Sequence, residues 1–443
     1  MSRKALVVAL FSFSSVQLYA ADTHNEQTPQ FEAVLKTHAQ LPAQSFILPP
    51  KGAPAYFNQS GRFTAKDSNR VEASYGIYDE ATGLARPFPG QPLQGFSGIR
   101  SLGDNRFLVL TDNGFGTKAN SADAMLMFHE VSVDWKSGRV IVDKTLFLSD
   151  PNNKVPFSIT DETGEQRFLT GADFDIESIQ PVEGGYWFGD EFGPWLIRTD
   201  TSGVVESVIA TQMDGKDYIS PDNAFTKLSD PDKPAPVITT KRSGGYEGMA
   251  ISRDGKTLYP LLEKPIFDAQ TGQLERVNDQ PVLRMLAFNA EKQVWLNEVR
   301  YYPLADANHA IGDFNMIDEH RALIIERDGG QGDSREGWAE KPAEFKRIYL
   351  VDLRDMDEHK VLRKIAYIDL MQIKDPNAIA PRGTHEGVFS FPFVTIEDVD
   401  RVDENTIVVA NDNNYPFSVG REQGRADDNE FILLDVADFL RAK

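Results

Sequence analysis

One unit recurs along this chain of 443 residues, and it constrains the fold more than any other feature. Each copy holds a short polar lead, an apolar strand, a turn of Gly, Asp or Asn, a second apolar strand and an acidic ending. The copies run from Gly95 to Gly114, Asp175 to Glu191, Gly245 to Lys264, Ile311 to Arg327 and Thr395 to Asp412. Further alternating runs follow them: Ala124–Val133 with Val140–Phe147, Val282–Phe288 with Val294–Tyr301, and Arg347–Leu353 with Val361–Ile368. Successive side chains of a strand point to opposite faces, so these runs read as strands. Four short antiparallel strands per unit is the pattern of a β-propeller blade. Helical periodicity is weak except around Val436–Leu440.

The expected fold is therefore all-β, a single-domain β-propeller of five or six four-stranded blades. The units begin at residues 97, 177, 247, 313 and 397, wider apart than the roughly 40 to 50 residues of compact propeller repeats. Large loops are expected at 150–172, 211–244, 301–310 and 328–345, which are rich in Pro, Gly, Asp and Lys. The fifth unit stops at Phe431–Val436 without a fourth strand, so an N-terminal segment near Tyr56–Phe63 is expected to close the ring. A sixth blade has room within residues 45–94.

The acids follow the same phase. A small or acidic residue opens each first strand: Ser97, Glu177, Glu247, Asp313 and Glu397. An acid ends each second strand: Asp112, Asp190 with Glu191, Glu263, Glu326 and Asp412. An antiparallel hairpin brings the start of one strand beside the end of the next, so each pair meets at the hairpin's open end. If these are the innermost strands, all five pairs converge on one rim of a central channel. A single pair is as readily explained by turn formation and solvation; five in phase point to a common purpose. Carboxylates gathered in one mouth repel unless cations neutralise them, and hard oxygen ligands in number suit Ca2+ better than Zn2+. No HExxH or CxxC pattern competes.

Basic side chains fall at the same places. Lys264 follows Glu263, Arg327 follows Glu326, and Arg242, Arg382 and His385 precede the third and fifth units. An Arg fork or a Lys beside bound metal is what phosphate or carboxylate recognition requires, and His309 and His385 are candidates for proton transfer. Ser97 in Gly95-Phe-Ser-Gly98 lacks the strand-elbow-helix setting of a GxSxG nucleophile. Asp328-Gly-Gly-Gln-Gly332 lacks the Lys-Ser/Thr ending of a P-loop.

Net charge narrows the partners. With 67 acidic against 46 basic side chains the chain carries -21 at pH 7, so counterion release cannot drive it to nucleic acid or anionic membrane. The first twenty residues read as a secretory signal peptide: Arg3 and Lys4 precede the apolar run Ala5–Phe11, and Leu18-Tyr-Ala20 is a cleavage site. That run is too short to span a bilayer, and no later stretch is apolar for eighteen residues. A periplasmic or secreted monomer is expected, with residues 21–50 as an N-terminal extension and 51–443 as the propeller domain. With no cysteine in an oxidising compartment, packing and bound metal must hold it together.

The succession of motifs resembles a known family. Phe-Ser-Gly98, Asp175-Ile-Glu-Ser178, Gly189-Asp-Glu-Phe-Gly-Pro194, Gly245-Tyr-Glu-Gly-Met-Ala250, Asp254-Gly-Lys-Thr-Leu-Tyr259, Ile-Ile-Glu-Arg327 and Asn411-Asp-Asn-Asn414 are similar to the phytase-like domain family, known for esterase-like activity. The resemblance runs from about residue 90 to 436. It implies a secreted bacterial β-propeller, related in architecture to calcium-dependent phytases and to lactonase and phosphotriesterase propellers. By position, Glu177, Glu191, Glu247, Glu263, Asp313 and Glu326 match the family's recurrent acids. The last unit departs, with Ile396-Glu-Asp398 where the family has Phe-Glu-Gly, so its ligand is either Glu397 or the Glu386 of His385-Glu-Gly387. The combined expectation is a Ca2+-dependent hydrolase of phosphate esters, with Glu191, Lys264, Arg327 and His385 in catalysis. The metal set is Asp112, Glu177, Asp190, Glu191, Glu247, Glu263, Asp313, Glu326, Glu397 and Asp412. A propeller that only binds a ligand or partner, and a lactonase or carboxylesterase, are the alternatives.

Overall fold

The computed structural model describes residues 28–66, 69–72, 77–213, 215–227 and 236–443. The signal-peptide reading lies outside the described residues. Among the described residues, twenty strands build five antiparallel four-stranded units, the fourth of which gains the short parallel strand Gln30–Phe31 at its edge. The first of these twenty, β1 (Val34–Leu41), is taken up below. The first sheet is β2 (Phe96–Gly103), β3 (Arg106–Thr111), β4 (Met127–Asp134) and β5 (Arg139–Phe147). The second is β6 (Ile176–Val182), β7 (Gly185–Asp190), β8 (Trp195–Asp200) and β9 (Val205–Ala210). The third is β10 (Tyr246–Ile251), β11 (Thr257–Leu262), β12 (Gln280–Asn289) and β13 (Val294–Pro303). The fourth is β14 (Ala310–Met316), β15 (Arg321–Arg327), β16 (Lys346–Met356) and β17 (Leu362–Asp369). The fifth has β18 (Thr395–Arg401), β19 (Thr406–Asp412) and β20 (Asn429–Asp435) in sequence order.

The fourth strand of the fifth sheet is β1, which pairs antiparallel with β20 from Val34↔Asp435 to Leu41↔Asn429. It also meets β5 of the first sheet, in parallel, at Gln40↔Arg139, so this one strand links the last sheet to the first. This corrects two expectations. The closing strand comes from within the segment read as an N-terminal extension, and the segment near Tyr56 forms a short 3-10 turn, Ala55–Asn58, instead. Leu35, Ala39 and Leu41 alternate inward along β1 and are buried, which is why this stretch competes better for the open edge. Among the described residues, 45–94 hold two-stranded ribbons and no sixth four-stranded unit.

The five first strands pack on one another in a closed cycle: β2 on β6, β6 on β10, β10 on β14, β14 on β18, and β18 back on β2. Five apolar cores fill the wedges between neighbouring sheets. One joins Leu323, Ile325 and Ile348 of the fourth sheet to Ile396, Ile407 and Val409 of the fifth; another joins Leu108 and Phe128 of the first to Ile176 and Phe188 of the second. The burial on both faces explains why the middle strands read as continuous apolar runs. The short helix Ala437–Leu440 follows β20, where helical periodicity is expected. Among the described residues no helix is long and apolar enough to cross a membrane.

Candidate functional site

Hairpin pairing aligns the five units residue by residue. Asp112 N–H donates to Gly95, Glu191 N–H to Asp175 and Glu263 N–H to Gly245, each at 2.8 to 2.9 Å, across the hairpins of the first three sheets. In the fourth and fifth sheets the corresponding pairs are Ala310↔Arg327 and Thr395↔Asp412. Second strands therefore end at equivalent places on Asp112, Glu191, Glu263, Arg327 and Asp412. Two residues into the first strands, the equivalents are Ser97, Glu177, Glu247, Gly312 and Glu397. Register shifts fall at this level in all five hairpins, with Glu177 and Glu247 as extra residues. Such bulges turn a side chain away from the regular pleat, here toward the ring's open end. Gly245 makes room for the approach, because a Cβ there would lie 2.4 Å from Glu191 Cα.

Arg327 gathers one half of the cluster. Its Nη2 lies 2.8 Å from Glu397 Oε1, 3.3 Å from Glu263 Oε1 and 3.7 Å from Glu247 Oε1. Lys264 Nζ is 2.8 Å from Glu263 Oε2 and also donates to the Ser243 carbonyl. Ser97 Oγ donates to Glu397 Oε2 at 2.9 Å, so this serine orients a carboxylate. In the other half, carboxylate oxygens of Asp175, Glu177 and Glu191 all lie within 4.8 Å of one another. Asp175 and Glu191 are each 3% exposed, and Asp175 Oδ1 and Glu191 Oε1 have no hydrogen-bond partner.

Burial and mutual repulsion push these acids upward. Burial, then Glu263 and Asp175, hold the Glu191 carboxyl well above its usual range. Burial, then Glu397 and Glu263, do the same to Glu247, and burial, then Asp175 and Glu247, to Glu177. Burial raises Asp175 to about 6, and burial with the Glu397 charge raises Asp412 to about 8. Asp112 is raised by burial and by Asp412, although Gly114 N–H donates to it at 2.8 Å. Acids held together in this way ionise more readily beside a positive charge.

Several expected members stand elsewhere. Glu326 precedes the mouth position by one residue, and a one-residue step in a strand points to the other face. It is buried with Lys364 Nζ at 2.6 Å, His309 Nδ1 at 2.9 Å and the Tyr302 hydroxyl at 2.9 Å. Burial pushes its carboxyl up, but Lys364 and His309 outweigh that and hold it at about 2. Asp313 is likewise one residue past Gly312; it accepts from Val399 N–H at 2.9 Å and stitches β14 to β18. Asp190 faces its own loop, accepting from Asp175 N–H at 2.8 Å and Gly193 N–H at 2.7 Å. His385 pairs with Glu336 at 2.7 Å on the surface, outside the cluster. Arg242 and Arg382 are engaged by Asp222 and by Glu422 with Asp428. Glu386 is exposed, whereas Glu397 is buried beside Arg327. Asp175 joins the cluster without having been expected there. The alternation Asp175-Ile-Glu177 places both acids on one face and was the available signal.

The donor set fits a hard cation. It is all oxygen, mostly anionic, buried, and holds orphaned atoms at Asp175 and Glu191. At the ring's other end, where the hairpin turns converge, a cavity of about 1330 Å³ is lined by Arg100, Asp400, Arg253 and Asp318 among others.

Comparison with known proteins adds a family. A curated relative from Arthroderma benhamiae, named "Uncharacterized secreted protein", is 30% identical over 94 residues, 19% of this chain and 18% of its own length. The chain thus spans under a fifth of that relative. Among solved structures, a luciferin-regenerating enzyme aligns at 9% identity over 78% of this chain and 94% of its own, with a TM-score of 0.31. A putative 6-phosphogluconolactonase from Bacteroides fragilis aligns at 13% identity over 84% and 96%, with a TM-score of 0.30. The family model described as Phytase-like, esterase-like activity of phytase, matches residues 91–415, the span that carries the five acid-bearing hairpins, and the protein belongs to that family.

Proposed function

We propose that this chain is an exported five-bladed β-propeller that hydrolyses phosphate esters with a divalent cation, Ca2+ by preference, at the acidic mouth of its ring. The observation that carries the reading is the Asp175, Glu177 and Glu191 triad, whose oxygens lie within 4.8 Å of one another in a buried setting. Those three residues would hold the cation. When bound, it would supply Lewis acidity toward a phosphoryl oxygen and a lowered pKa for a coordinated water.

The chain's own groups do the rest. Arg327 and Lys264 place fixed positive charge beside the reacting group and stabilise negative charge as it develops. Ser97 holds Glu397 at 2.9 Å, and Glu397 in turn holds Arg327, so the guanidinium is set before substrate arrives. The protein works as a monomer on small-molecule esters.

Purified protein should turn over p-nitrophenyl phosphate or phytate with Ca2+ and lose that turnover in EDTA. Glu191→Gln, which keeps the shape and removes the charge, should abolish it while folding normally. Turnover that survives EDTA would sink the proposal. Cleavage of carboxylic esters or lactones with no phosphatase activity would move the chemistry to acyl transfer at the same mouth. Absence of turnover, with Ca2+ merely raising the melting temperature, would leave a binding propeller.

A further inference from the structure

The fourth sheet breaks the pattern of the mouth at two places together. On the first strand, where its neighbours carry Glu247 and Glu397, it has Gly312; at the end of the second, where the other four sheets have Asp112, Glu191, Glu263 and Asp412, it has Arg327. The two changes are complementary. A Cβ on Gly312 would sit 1.9 Å from the Ile396 carbonyl oxygen, so the position admits no side chain. Arg327 takes the place of an acid and, at 7% exposed, is itself buried. Its Nη2 contacts carboxylates from the third and fifth sheets. Its Nε is buried with no hydrogen-bond partner. Of the mouth's carboxylate oxygens without a hydrogen-bond partner, Glu247 Oε1 and Glu263 Oε2 of the third sheet lie 3.7 Å from Arg327 Nη2 and 2.8 Å from Lys264 Nζ, whereas Asp175 Oδ1 and Glu191 Oε1 belong to the second sheet.

We propose that Arg327 is a built-in second cation: it neutralises the Glu247, Glu263 and Glu397 half of the mouth, so the site takes one divalent cation, and its free Nε–H receives an oxyanion of the substrate. The inference rests on the metal reading above. Where a two-metal hydrolase clamps its substrate between two ions, this mouth has one metal half and one guanidinium half. A guanidinium supplies directed N–H donors as well as charge; Nη2 is committed to carboxylates, and Nε–H is a donor that no group of the protein satisfies.

Ca2+ titrated calorimetrically into the intact chain tests the stoichiometry. Wild type should bind one Ca2+, and Arg327→Glu, which restores an acid to the fourth position, should bind two. Arg327→Lys keeps the charge and loses Nε; it should bind one Ca2+ but bind inorganic phosphate, added to the Ca2+-loaded protein, at least tenfold more weakly. Wild type binding two or more Ca2+ would overturn the inference while sparing the metal reading. A folded Arg327→Glu that still binds one, or an Arg327→Lys with undiminished phosphate affinity, would also overturn it. Wild type binding no Ca2+ would bring down both. If Arg327→Glu does not fold, the wild-type count and the Arg327→Lys phosphate affinity decide.

Discussion

Glu326 and Arg327 are adjacent in sequence and do unrelated work, because β15 turns one toward the wedge between sheets and the other toward the mouth. Glu326 is fully buried and paired with Lys364. Glu326→Gln would strand the Lys364 ammonium in an apolar wedge, at a cost of roughly 3 to 5 kcal/mol. Replacing both residues with apolar ones of similar size should recover most of that, since a buried pair earns little over good packing. Urea denaturation measures both effects, and Ca2+ binding should be unchanged in the single variant. A Glu326→Gln protein that unfolds normally but no longer binds Ca2+ would put Glu326 back among the ligands.

At the scale of elements, closure depends on β1. Its buried Leu35, Ala39 and Leu41 join cores shared with the first and fourth sheets, and His38 Nε2 meets Glu430 Oε2 at 3.0 Å. Leu35→Ala should cost about 2 to 5 kcal/mol, whereas Tyr56→Ser, on the exposed 3-10 turn, should stay within about 1 kcal/mol. Deleting the chain through Leu41 would leave β20 as an unpaired edge, and the expected result is aggregation on expression. Chemical denaturation and size-exclusion chromatography distinguish these outcomes; a soluble, cooperatively folding deletion would show that closure lies elsewhere.

For the whole molecule, the buried acids set how stability depends on pH. Asp175 and Asp412 have folded values of about 6 and about 8, above their usual range. Raised values mean the fold favours the protonated form, so the stability they contribute is present at low pH and is lost as pH rises through 6 and 8. Glu430 has the opposite sign: burial pushes it up, Arg421 and His38 overcome that and hold it at about 2. Its contribution is present above about pH 4.5 and is lost as pH falls toward 2. The metal-free protein should therefore melt highest near about pH 4 to 5. Excess Ca2+ should raise the melting temperature at pH 8 and leave it nearly unchanged at pH 4. Thermal scans in EDTA and in Ca2+ across that range measure this, and a Ca2+ effect independent of pH would contradict the raised acids.

The all-β class, the four-strand unit and most strands were legible because alternation is local: each residue's burial is written into its own neighbourhood, as along Gln280–Asn289. The positions of Asp112, Glu177, Glu191, Glu247, Glu263, Glu397 and Asp412 at the hairpins' open ends could be read from the shared phase of the hairpins. The tertiary structure decided the rest, for a physical reason that applies each time. Which face a residue takes depends on the pairing register and its bulges, and a shift of one position exchanged Glu326 for Arg327 and Asp313 for Gly312. The partner of the last open edge lay 392 residues away at the His38–Glu430 contact, and no local pattern selects one apolar segment over another across that distance; packing of the closed ring does.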